Sequence, residues 1–271
     1  METAATQTGK EGDEEMKFEM KGGKSKTVDG RRKINCRLFF ILFLLLTSHF
    51  SLLTCLYSET PKPSLIIDIP TAEVIEYSNY DLSFRMHGAG GILSKMTFGV
   101  FKPINIGISW DVDKLIGTGS EKIDTQPPAI LFKARVFAGG LKLPAISLGY
   151  DGQGYGTYDG DTDKYQYREK GIYLTLTREY FVPGLEMSFG GNIYDFDGDG
   201  VYGFLGATFG IENKLLFLTE YDNIKSMPDN RANIGIKLFI TDNVDVSVAG
   251  RNLFKGTRSE RIAIVNYRGK F

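Results

Sequence analysis

Several groups of side chains in this 271-residue chain have types and spacings that suit chemistry. The stretch YDFDGDG at 194–200 sets Asp195, Asp197 and Asp199 on alternate positions ahead of Gly200, as a calcium loop presents its carboxylates. A loop of the EF-hand type needs a bidentate Glu at its twelfth position, where Gly206 stands, and Asp-Gly is equally a hairpin signal. The segment is therefore read as an acidic turn, with Asp195, Asp197 and Asp199 as candidate metal ligands and no cofactor assigned. A second acidic patch, Asp159, Asp161 and Asp163, shares the segment 152–169 with Tyr155, Tyr158, Tyr165 and Tyr167. That composition suits contact with sugars or cation-bridged lipids, and equally a solvated loop.

A lipid hydrolase would need a hydroxyl nucleophile activated by a base. Downstream of the N-terminal segment only His87 offers an imidazole. Ser83 lies four residues earlier on the same face, too far along an extended strand for a direct hydrogen bond, and Ser94 would lie across a hairpin. The serine-centred motif of the twelve-stranded phospholipase is not visible around either. The chain is read as a non-enzyme, with a rim site at His87 as the alternative. Six basic residues, Arg85, Lys133, Arg135, Arg231, Lys237 and Arg251, fall on the polar faces of otherwise apolar segments, with Asp111, Glu186 and Asp245 as possible partners. On the inside of a barrel such charges either line a water path or pair across a filled interior. Net charge is −1, which gives no electrostatic case for nucleic-acid binding.

The elements that would position these groups are strands. From residue 74 to 271 the chain reads as twelve segments of alternating polarity, at about 74–87, 91–101, 104–111, 128–138, 143–151, 170–181, 184–195, 201–211, 214–223, 231–241, 244–253 and 260–271. In the tenth, Ala232, Ile234, Ile236, Leu238 and Ile240 oppose Arg231, Asn233, Gly235 and Lys237. In the third, Ile104, Ile106, Ile108 and Trp110 oppose Asn105, Ser109 and Asp111. The second, fifth and ninth are mixed. A period of two gives one greasy and one wet face. Most segments run near the ~9–11 residues that a tilted strand needs to cross hydrocarbon. Tight turns at Lys102-Pro103, Val182-Pro183-Gly184, Glu212-Asn213 and Asp242-Asn243 alternate with longer links at 112–127, 152–169, 196–200, 224–230 and 254–259. Short links at one rim and long links at the other are the pattern of outer-membrane barrels.

Upstream, Arg31, Arg32, Lys33 and Arg37 precede the apolar run Leu38–Leu46. This reads as a secretory signal within 1–59, followed by a periplasmic linker at 60–73. Met16 and Met20 are alternative starts to Met1, a retained anchor at Leu38–Tyr57 is a rival reading, and a lipidated Cys55 is another. Both cysteines, Cys36 and Cys55, lie in this segment. The last strand presents Ala263, Val265, Tyr267, Gly269 and Phe271 on one face, which suggests recognition of a terminal Phe271 by the barrel-insertion machinery.

Three stretches carry a family resemblance: IPTAEV at 69–74, SWDVDKLIG at 109–117 and ILFKARVFAGGLKLPAISLGYDGQGYG at 130–156. The last is similar to the YjbH-type outer-membrane proteins, and the likeness covers roughly residues 65–158. Members of that family are usually much longer. The resemblance implies an outer-membrane barrel associated with export or assembly of exopolysaccharide. The expectation is thus an all-β chain: a single transmembrane antiparallel barrel of about twelve strands, after a signal peptide, in the outer membrane of a Gram-negative-type bacterium. Its expected partners are outer-membrane lipids, lipopolysaccharide and polysaccharide. A small anion-leaning pore is the alternative within the same fold.

Overall fold

The structure, a computed structural model, describes residues 62–271 except 89, 118–121, 141, 181, 195–199, 226–229, 255 and 257–258. The signal-peptide expectation for 1–59 and the candidate ligands Asp195, Asp197 and Asp199 therefore lie outside the described residues.

Alternation from residue 79 onward becomes a run of strands: β1 (Asn79–His87), β2 (Gly91–Phe101), β3 (Ile104–Asp113), β4 (Asp124–Thr125), β5 (Ala129–Phe137), β6 (Ala145–Asp151), β7 (Tyr155–Asp159), β8 (Lys164–Tyr167), β9 (Gly171–Glu179), β10 (Leu185–Ile193), β11 (Tyr202–Ile211), β12 (Leu215–Asp222), β13 (Arg231–Phe239), β14 (Val244–Leu253) and β15 (Glu260–Lys270). Twelve of them pair antiparallel with their neighbours, and β1 also pairs with β15, Asn79 opposite Lys270 and Met86 opposite Ala263. The sheet thereby closes into a barrel. Closure gives the outermost strands partners for the N–H and C=O groups that an open edge would leave bare in lipid.

The two faces sort by chemistry. Phe84, Ile108, Trp110, Ile130, Leu174, Phe217, Ile234, Ile236 and Val248 are exposed, whereas Arg85, Asn105, Asp111, Lys133, Thr175, Glu220 and Asp245 are buried. A soluble protein buries the first set and exposes the second. The inversion identifies the outside as the lipid face and the inside as a polar lumen. Tyr80, Phe98, Tyr267 and Phe271 cluster with ring centroids 6.1–6.5 Å apart where the first and last strands meet, forming part of an interfacial girdle.

Two expectations about the connections need correction. The links 112–127 and 152–169, read as loops, contain β4 and the β7–β8 hairpin, and β3 continues to Asp113. Their pairings are short and irregular, so no run of alternation long enough to register exists there. The larger correction concerns 60–73. Residues 62–73 do not form a linker beside the membrane; they enter the lumen, reverse, and return to β1. Leu65 pairs with Pro70, the Ile66 amide donates to the Ile69 carbonyl at 3.0 Å, and the Thr71 amide to the Ser64 carbonyl at 3.2 Å. Ile66, Ile67, Ile69 and Ala72 are buried. The hairpin that this makes is short and apolar, and only the lumen offers it a wall to pack on.

Ile236 lies near the middle of β13 with 43% of its surface exposed. Ile236→Arg is expected to destabilise the folded barrel in lipid vesicles by about 2–4 kcal/mol, the cost of a cation near the bilayer midplane. Denaturant unfolding measures this, and unchanged stability would contradict the lipid-facing placement.

Candidate functional site

The lumen is where the barrel's chemistry is concentrated, and the internal hairpin organises it. Ile66, Ile67 and Ile69 pack against Tyr173, Phe204, Leu216, Leu218, Ala249, Ile262 and Ile264 on the inner wall. This apolar patch inside a polar lumen explains the mixed pattern of the ninth predicted segment. There β12 turns Leu216 and Leu218 inward beneath the hairpin and Glu220 and Asp222 inward above it. Gly206 permits the approach: a Cβ there would lie 2.6 Å from Ile69 Cδ1 and 2.8 Å from Ile66 Cδ1.

At the hairpin's tip the contacts become ionic. Asp68 is 1% exposed and accepts from Arg85 Nη1 at 2.7 Å and from Arg251 Nε at 2.7 Å. Arg85 also donates to the Ile67 carbonyl at 2.6 Å, and Arg251 to Glu260 at 2.6 Å. The tip's own N–H groups point the other way. Those of Ile67, Asp68 and Ile69 donate to the Glu220 carboxylate at 3.0–3.2 Å, and Asn233 donates to it at 2.6 Å. A buried carboxylate is tolerable only with such partners. Glu220 finds them in backbone amides rather than in a cation.

Nearer the turns of the short-link rim, Lys133 donates to the carbonyls of Ser64, Thr71 and Glu73 at 2.8–3.2 Å, while Arg135 pairs with Glu73 at 3.0 Å. Lys62 pairs with Glu186 at 3.2 Å. Away from the hairpin, Arg231 bonds Asp222 at 2.8 Å, with Lys170 on the same carboxylate, and Lys237 pairs with Asp245 at 3.1 Å. The six basic residues singled out from the sequence thus divide. Arg85, Lys133, Arg135 and Arg251 hold the hairpin, whereas Arg231 and Lys237 bond carboxylates of the wall. Of the three partners expected, Asp245 takes Lys237, Glu186 takes Lys62, and Asp111 takes His87. Sequence reasoning missed Asp68 and Glu220, the two acids at the centre. The one available signal was an acid flanked by isoleucines, Ile66 to Ile69.

The outer end is covered by the β7–β8 hairpin. The Tyr155 ring lies beneath two guanidinium groups, Arg85 at 4.5 Å and Arg251 at 4.7 Å, and Tyr167 lies near Arg231 and Arg251 at 5.5 and 5.6 Å. Such cation–π stacking is strongest where water is excluded, and Tyr155 is buried. The acids at this hairpin's tip serve its own turn. Asp159 accepts from the Asp161 amide at 3.0 Å and the Thr162 hydroxyl at 2.9 Å, bonds that hold its carboxyl below the usual range. Tyr158 donates to Asp163 at 2.9 Å. Burial, with a contribution from the Asp111 charge, pushes Tyr165 up to about 12.

Between hairpin and wall remain cavities of about 70 and 60 Å³, and one of about 430 Å³ opens at the short-link rim beside Lys62, Glu73, Asn79 and Lys270. The inner ones are of a size for one or a few waters. Ser94 does not pair with His87: it lies opposite Phe84 on the alternate face of the strand, while the His87 ring turns inward to Asp111 at 3.0 Å.

A closed antiparallel barrel with a lipid-facing exterior and an ionic interior is an outer-membrane β-barrel. No family model and no curated protein matches the chain. Among solved structures it is similar to the KdgM porin, at 12% identity and a TM-score of 0.41 over 69% of this chain and 98% of that one. The same porin in complex with disordered oligogalacturonate gives 12% and 0.40 over 71% and 99%. The outer membrane protein Omp33 of Acinetobacter baumannii gives 11% and 0.34 over 72% and 99%.

Asp68→Ala strips Arg85 of its carboxylate and leaves Arg251 only Glu260. Removing one partner of a buried pair costs about 3–5 kcal/mol, which is expected to fall on the docking of the hairpin. The amides of Ile67 and Ile69 should then exchange with deuterium roughly two to four powers of ten faster than in the parent barrel. Unchanged exchange would contradict the assigned role of Asp68.

Proposed function

We propose that this chain is a non-enzymatic outer-membrane barrel that rests closed and serves the handling of exopolysaccharide at the cell envelope. The observation that carries the closed state is the seating of Asp68 between Arg85 and Arg251 deep in the lumen. The polysaccharide role is supported by the resemblance of residues 65–158 to the YjbH-type proteins. Outer-membrane lipids and lipopolysaccharide are the surroundings such a barrel would meet, and the insertion machinery would engage its last strand.

A second reading is favoured by the same contact. Withdrawal of the hairpin would remove the carboxylates of Asp68 and Glu73 from the lumen. Arg85, Lys133 and Arg135 would lose their partners there, and Arg251 would keep only Glu260. Glu220 would lose the tip amides and keep Asn233, and Glu186 would lose Lys62, but two carboxylates leave with one ammonium, so the balance would shift toward the cations. The emptied barrel is therefore an anion-leaning pore, and acidic saccharides are among the solutes it would suit.

Planar-bilayer recording tests both readings together with a surface assay. The parent barrel is expected to pass little current, and a variant lacking residues 62–73 to conduct with anion selectivity. Cells without the gene are expected to lose surface polysaccharide. A large steady conductance in the parent would overturn the closed state, and unchanged polysaccharide would overturn the envelope role.

A further inference from the structure

At the outer rim, away from the hairpin's contacts, three donors converge from two strands. His87 ends β1, and Asp111 and Asp113 stand on alternate positions at the end of β3. Their side chains are 6%, 2% and 5% exposed. His87 Nε2 lies 3.0 Å from Asp111 Oδ1 and 3.7 Å from Asp113 Oδ1, and the three donor atoms all fall within 4.8 Å of one another. Donors that share one ion at ~2.0–2.2 Å must lie about this close.

Proximity alone would describe a histidine between two acids. Two further observations separate this cluster from an ordinary ion pair. Asp113 Oδ1 is buried and accepts no hydrogen bond, although the other oxygen of the same carboxylate accepts from Gln126 Nε2 at 2.5 Å. A buried carboxylate oxygen left unbonded is costly, and here it faces the imidazole. Next, the space beside the cluster is kept open by Gly91. A Cβ there would come within 2.5 Å of His87 Nε2 and 2.7 Å of Asp113 Oδ1. Gly91 sits opposite His87 in the β1–β2 register, so any other residue would push the two donors aside.

We propose that His87, Asp111 and Asp113 form a binding site for a divalent transition-metal ion, with Zn²⁺ the best match to one imidazole nitrogen and two carboxylates. Three protein donors leave a further coordination position for water or an external ligand. Gln126, through its bond to Asp113 Oδ2, is the positioning residue. It also donates to the Gly156 carbonyl at 3.1 Å, which couples the site to the β7–β8 hairpin over the lumen. An ion there would fasten β1, β3 and that hairpin together. Binding requires the imidazole neutral with Nε2 free, so the His87–Asp111 hydrogen bond gives way to the metal and affinity falls at low pH.

The test uses the full barrel refolded in detergent without a polyhistidine tag, stripped with chelator and titrated with ZnCl₂ against a chromogenic competitor. One ion per chain is expected. His87→Ala should abolish the site, and Gln126→Ala should weaken it by about 10–100-fold, as loss of an outer-sphere partner does. Gly91→Ala, which keeps every donor, should also weaken it strongly, and heat-modifiable migration reports that each variant is folded. Zinc uptake by the parent that persists in folded His87→Ala, or no uptake by the parent, would overturn the proposal. A preference for Ca²⁺ over Zn²⁺ would overturn the nitrogen donor's part in it.

Discussion

One carboxylate deep inside the barrel, Asp68 between the guanidinium groups of Arg85 and Arg251, sets the state of the whole interior. Three charged groups taken so far from water are stable only with mutual and additional hydrogen bonds. The surroundings provide them: Arg85 reaches the Ile67 carbonyl, Arg251 reaches Glu260, and the tip amides turn to Glu220. The two arginines also carry Tyr155 on their faces. One contact thus links the hairpin that fills the lumen from one end with the loop that covers it at the other.

The wall that surrounds this contact follows from a different constraint. In hydrocarbon every peptide group must be paired within the protein, so the sheet has to close. That requirement forces the alternation to be long, regular and legible. The boundaries of β2, β11, β13 and β14 lie within two residues of those read from the sequence. Ile234, Ile236, Leu238 and Val248 face outward as their spacing implies. Basic residues on the opposite positions were legible as inward-facing for the same reason.

What the sequence did not disclose is what fills the barrel. The sequence of 60–73 reads as a linker because proline and lysine punctuate it and no period of two runs through Ile66-Ile67-Asp68-Ile69. The structure of residues 62–73 is dictated by the wall they meet, by Leu216, Leu218 and Phe204 beneath and Gly206 making room. Local pattern carries no record of partners some 150 residues distant in the chain, such as Glu220. The same reason hid the pairing of Arg85 with Asp68 and the cover formed by Tyr155. The cluster of His87, Asp111 and Asp113 was missed because its donors belong to two strands whose adjacent tips only the closed register defines. The apparent faults in the pattern, such as the inward leucines of β12, were the trace of the hairpin.

The account therefore rests on Ile67 and Asp68 lying inside the folded barrel. A chain with Cys36→Ser and Cys55→Ser has no other thiol, so Ile67→Cys in that background gives a single probe for a membrane-impermeant maleimide, with Lys102→Cys on an exposed turn as its control. The docked hairpin predicts rapid labelling at position 102 and labelling at position 67 only after denaturation. Equal labelling of both positions in the folded protein would contradict it.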